Sequence, residues 1–173
     1  MSIRTGSTAL VLTVLAGCSA PQASSPPSKP GPMEAPSTVA SPTGLATIEA
    51  CALLTAQEAS SLGMRPRGEA EEVRGLRRCD WTTPGGGGVS TSINERLGLS
   101  GVNFDDASSV TDVRIGRHQA KRALDGIGPG YCDVDFAIGD TANVSVLALY
   151  RNDTARACDV VDRAAVLVES KLP

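Results

Sequence analysis

Apolar residues recur at every second place between residues 131 and 138, where Cys132, Val134, Phe136 and Ile138 are separated by Asp133, Asp135 and Ala137. A period of two is the mark of a half-buried strand. Gly139-Asp140 then turns the chain into residues 143–150, where Val144, Val146, Ala148 and Tyr150 share one face and Leu147 and Leu149 the other. Together these two runs predict an antiparallel hairpin. Upstream, residues 77–83 place Cys79 and Trp81 on one strand face, Pro84 to Gly88 form a loop, and Val89, Thr91 and Ile93 carry the next strand. Residues 110–124 show a weaker alternation around Gly116, enough for one or two strands.

Two segments follow the helical period instead. Thr55-Ala56-Gln57-Glu58 fits a capping box, in which the Thr hydroxyl and the Glu carboxylate each take up an orphan amide, and Leu62-Gly63 supplies the stop. Cys51, Leu53 and Leu54 belong to the lead-in or to an additional turn. Near the end, Cys158, Val161, Ala165, Val168 and Leu172 recur at three- and four-residue steps behind a cap at Asp153 or Thr154. Val160, Ala164 and Leu167 widen that stripe, and Asp159 and Arg163 are spaced to pair on the wet side. One broad face of this helix must be buried.

The first 44 residues have a different pattern. Thr8 to Gly17 is a ten-residue apolar run, about half the length a membrane helix needs, so it predicts a signal-peptide core. Leu15-Ala16-Gly17-Cys18 follows it and resembles the bacterial lipobox. That likeness implies diacylglyceryl transfer to the Cys18 thiol and cleavage after Gly17, leaving residues 1–17 as signal peptide. Two acyl chains suffice for stable membrane attachment. Ser19 to Gly44 holds seven Pro and six Ser among 26 residues, too little apolar surface to offset ordering entropy, so 18–44 is expected to be the lipidated Cys and a disordered tether. Residues 45–173 are left as a single extracytoplasmic domain.

Charge and cysteine content sharpen that reading. A net charge of −3 and a pI near 5.2 give no basic surplus to neutralise nucleic acid phosphates, which excludes nucleic acid as a partner. Outside the cytoplasm, Cys51, Cys79, Cys132 and Cys158 read as two disulfides. Cys132 faces the core from its strand and Cys158 from its helix, so they are expected to bond, and elimination pairs Cys51 with Cys79. Separations of 28, 53 and 26 residues lack the short Cys-x-x-Cys clips of zinc sites, so no metal is expected.

Candidate chemistry is sparse. His118 is the single His, with no sequence partner to orient it as a base, and reads as a surface residue. Asp133 and Asp135 share a strand face and are expected to be solvated rather than to hold Ca²⁺, since no EF-hand spacing accompanies them. Gly85 to Gly88 lacks the Lys-Ser/Thr of a phosphate loop and reads as a hairpin tip. Arg74, Arg77 and Arg78 are expected to pair with the nearby Glu69, Glu71 and Glu72. A sugar cleft would call for more aromatics than one Trp, two Tyr and two Phe. Trp81 is the one weak candidate for a ligand platform; beside Cys79, core packing is its more ordinary use.

Taken together, the lipobox Cys18, the Pro/Ser tether, CALLT at Cys51 to Thr55, CDW at Cys79 to Trp81, Cys132, and the run from Ala157 to Pro173 resemble the actinobacterial lipoproteins grouped as domain of unknown function 3558. A more distant likeness is to disulfide-bearing extracellular sensor domains of mycobacterial kinases. The resemblance implies an exported surface lipoprotein and carries no catalytic residue and no cofactor. The expected fold is α+β: an antiparallel sheet of about five strands packed by a C-terminal helix and a short N-terminal helix, with two disulfides. The expected function is a non-enzymatic, lipid-anchored module on the outer face of the cell membrane, binding a cell-wall ligand or an envelope protein. The alternative is an envelope enzyme, enzyme accessory or sensor.

Overall fold

A computed structural model describes residues 44–173. The signal segment, Cys18 and the tether up to residue 43 lie outside the described residues. Seven strands form one antiparallel sheet: β1 Glu69–Val73, β2 Leu76–Thr82, β3 Gly88–Asn94, β4 Ser109–Ile115, β5 His118–Leu124, β6 Tyr131–Ile138 and β7 Ala142–Leu149. Their order across the sheet is β1-β2-β3-β7-β6-β5-β4. Seven strands replace the five or so expected. Residues 110–124 divide into β4 and β5 at Gly116-Arg117, and the added strand β1 is an edge strand whose residues are all exposed, so it carries no hydrophobic period.

One face of the sheet holds the core. Cys79 and Trp81 of β2, Val89, Thr91 and Ile93 of β3, Val144, Val146 and Ala148 of β7, and Cys132, Val134 and Phe136 of β6 are all buried there. The helix α2, Thr154–Glu169, lies over β6 and β7 and buries Ala157, Val160, Val161, Ala164, Ala165 and Val168. Ala157, Ala164 and Ala165 among these contacts let the helix approach closely in a core with few aromatic side chains. Truncating the fully buried Phe136 to Ala would cost about 3–5 kcal/mol.

The β2 and β3 end of that face is covered by the 3-10 turn at Ala50–Leu53, with a second at Leu45–Thr47 before it and the short helix α1, Ala56–Ser61, after it. Six residues are too few for a helix to persist by propensity, so α1 depends on caps and tertiary ties. The expected capping box is present: the Glu58 amide donates to Thr55 Oγ1 at 3.2 Å, and the Thr55 amide donates to Glu58 Oε2 at 2.7 Å. Lys171 donates to Glu58 Oε2 at 2.7 Å and to the Leu53 carbonyl at 2.8 Å, fastening α1 to the chain beyond α2. The Thr91 hydroxyl, fully buried, donates to the Ala50 carbonyl at 2.8 Å.

Both cysteine pairs lie at disulfide distance as expected, Cys51 with Cys79 and Cys132 with Cys158. Gly68 passes directly over the first pair. A Cβ there would overlap Cys79 Sγ and the Trp81 ring, so a residue without a side chain lets the backbone close over the indole.

Candidate functional site

The opposite face of the sheet is built from the residues between the core positions, and among the described residues no α-helix covers it. The segment joining β3 to β4 lies over one end of it: the Asn143 side chain of β7 donates to the Leu97 carbonyl at 2.7 Å, and the turn Leu99–Gly101 packs on β6. The remainder is open. Tyr131, Leu147 and Leu149 lie there with Arg78, Asp80 and Ser90, lining a hollow of about 290 Å³. A second hollow of about 480 Å³ shares Gly87 and Leu149 with it and is lined also by Gly85, Gly86, Pro129, Arg151 and Asn152. The combined groove has an apolar floor, with Leu149 39% exposed, and charged or backbone-lined sides.

Arg78, Asp80 and Ser90 form a fixed polar unit on β2 and β3. Arg78 Nε donates to Asp80 Oδ1 at 2.8 Å and Nη2 to Ser90 Oγ at 3.2 Å, while the Ser90 hydroxyl donates to Asp80. This corrects the expected pairing of the Arg and Glu cluster. Glu71 and Glu72 do stand opposite Arg78 and Arg77 in the β1–β2 register. Arg77 nevertheless turns to Glu95 at 2.6 Å and to the carbonyls of Leu45 and Ile48, clamping the entry turn to β2. Folding brings those acceptors from 18 to 32 residues away, so the local charge run carried no sign of them.

Asp133 and Asp135 give the second correction. They share the open side of β6, but only 4% of Asp135 is exposed, and its Oδ2 has no hydrogen-bond partner among the described residues. Burial pushes the Asp135 carboxyl up to about 8, and the adjacent Asp133 adds to the shift through its charge and a hydrogen bond. Asp133 is also raised by burial. Burial thus favours the protonated form of the Asp135 carboxyl. Lys121 faces Asp135 in the β5–β6 register, yet its ammonium bonds Asp112 at 2.8 Å.

His118 is a fastening residue rather than an isolated surface group. Nδ1 lies 2.9 Å from Glu169 Oε1 and Nε2 3.1 Å from the Pro173 oxygen. Glu169 also accepts from the Arg117 amide at 2.9 Å, and the Arg117 guanidinium donates to the Leu172 carbonyl. The β4–β5 turn is thereby tied to the end of α2. The Arg117 amide, then His118, hold the Glu169 carboxyl below its usual range. Both ring nitrogens are engaged in this tie, and among the described residues no hydroxyl or thiol nucleophile is bonded to them.

Trp81 is 2% exposed, its indole packed in the core under Gly68, and the residue is also among those lining the 290 Å³ hollow. Among the described residues, no three His, Cys, Asp or Glu side chains converge on a point where a metal could sit. Gly85 to Gly88 form the hairpin tip, with the Thr83 amide donating to the Gly87 carbonyl at 3.0 Å, and contribute wall to the groove.

A family described as "Protein of unknown function (DUF3558)" matches residues 13–171. The chain belongs to this family. DUF3558 membership spans both the described domain and most of the segment before it, and it assigns no activity. No curated protein and no solved structure matches the chain.

Proposed function

We propose that this DUF3558 member is a lipid-anchored surface lipoprotein of the bacterial envelope whose domain is a non-catalytic binding module. The diacylglyceryl group on Cys18 holds it to the outer face of the cell membrane, and the groove over Tyr131, Leu147 and Leu149 receives a cell-wall ligand or an envelope protein. One observation carries the reading: a sheet stapled twice by cysteine pairs, packed by helices on one face and left with a partly apolar groove on the other. Disulfides persist in oxidising compartments, which agrees with export. Concave surfaces with an apolar floor and a few placed polar groups are the usual form of ligand sites.

Photo-crosslinking in living cells tests the groove. A crosslinking side chain at Leu149 is expected to capture a wall-derived or envelope component, while one at the exposed Val73 on the β1 edge is not. Equal capture from both positions, or none from Leu149, would contradict the groove as the binding surface.

A further inference from the structure

Both edges of the sheet are free among the described residues, and they differ in what they can accept. Edge strands present unpaired backbone groups, and proteins commonly shield them with charge. On β1 the shield is complete against its own kind. Glu69, Glu71 and Glu72 fill the strand Glu69–Val73, so a second β1 laid antiparallel with substantial overlap sets glutamates opposite one another.

β4 behaves in the opposite way. Its sequence is Ser109-Val110-Thr111-Asp112-Val113-Arg114-Ile115. The turn Gly116-Arg117 closes the β4–β5 hairpin at the pair Ile115 and His118. In a two-residue hairpin the closing pair exchanges both backbone hydrogen bonds and the direction alternates along the strand. Ile115, Val113 and Thr111 thus serve β5, while the backbones of Val110, Asp112 and Arg114 point outward to the free edge.

We infer that β4 pairs antiparallel with β4 of a second copy of this chain, across a two-fold axis at Val113, joining two seven-stranded sheets edge to edge. That register sets Asp112 of each copy opposite Arg114 of the other, Val113 opposite Val113, and Thr111 opposite Ile115. The charge match is specific to it. A shift of two residues opposes Asp112 to Asp112 in one direction and Arg114 to Arg114 in the other, and a shift of one puts the helices of the two copies on opposite faces. Asp112 is poised for such a contact: its Oδ1 takes Lys121 and its side chain is 85% exposed. Opposite charges directly across two strands stabilise the pairing and like charges oppose it. On the lipid anchor proposed above, confinement of two copies to one bilayer raises the effective concentration available to so small an edge contact.

The test uses the full chain, purified from membranes and held in detergent micelles. Asp112→Arg and Arg114→Asp should each weaken self-association roughly tenfold, and the double reversal Asp112→Arg/Arg114→Asp should restore it. Loss of the Lys121 contact is common to the first and the last, so restoration isolates the contact between copies. Val113→Cys should form a disulfide-linked dimer, because facing residues in the wide part of a ladder stand about 4.5 Å apart between Cα atoms. Thr111→Cys and Ile115→Cys should link only when the two variants are mixed. A full chain that stays monomeric, a double reversal that does not recover, or folded Val113→Cys that forms no linked dimer would each overturn the inference.

Discussion

Cys132, in the middle of the core face, is bonded to Cys158 in the second turn of α2, so a covalent link joins β6 to the helix that covers it. The loop it closes spans 26 residues, and chain entropy assigns such a link about 3 kcal/mol. Cys132→Ser/Cys158→Ser is therefore expected to lower Tm by roughly 10 °C, as would Cys51→Ser/Cys79→Ser. Thermal unfolding of each pair of substitutions checks this. A loss under about 2 °C would show that side-chain packing alone holds α2 in place.

Asp135 should make the fold less stable as the solution becomes more alkaline. Its folded pKa lies at about 8 against an ordinary 3.8, so between those values the folded state keeps a proton that the unfolded chain has lost. Stability falls across this window and levels off above it. Asp135→Asn should flatten the slope and be the more stable protein at pH 7. Urea unfolding between pH 5 and 8 reads both effects; an unchanged slope in the variant would refute the assignment.

Glu169 works in the other direction. Its folded carboxyl is held low by the Arg117 amide and then by His118, so the stability it contributes is present above its ordinary pKa and is lost as pH falls through the folded one. Glu169→Gln should reduce acid sensitivity. Gly116→Ala should destabilise the protein by about 1–3 kcal/mol, because Gly116 has φ +53° and a Cβ there would displace the Glu169 carboxylate from the turn. Equal melting temperatures for Gly116→Ala and the native chain would show that this tie carries no stability.

Much of the core was legible because its residues repeat with a period. Cys79 and Trp81, the Cys132 to Ile138 alternation, the Thr55 and Glu58 box and the stripe from Cys158 to Val168 each announce an element and its buried face, and through them the cysteine pairing. β1 was not legible, since an edge strand wet on both faces needs no alternation and its glutamates resemble a loop. The burial of Asp135 was hidden for a different reason. A polar residue on the outer face of a strand reads as solvated unless something distant folds over it, and here a segment packed on β6 comes from the β3–β4 crossover more than 30 residues earlier. The groove was out of reach in the same way, being assembled from β2, β3, β6 and β7 and two glycine-bearing turns.

Export is the premise on which the surface-module account stands, and intact-mass spectrometry of the protein from its native membrane tests it most directly. The account predicts a chain that begins at Cys18, carries the added mass of a diacylglyceryl group, and has no free thiol at Cys51, Cys79, Cys132 or Cys158. A chain that retains Met1 to Gly17 without lipid and reacts with thiol reagents at those four positions would contradict it.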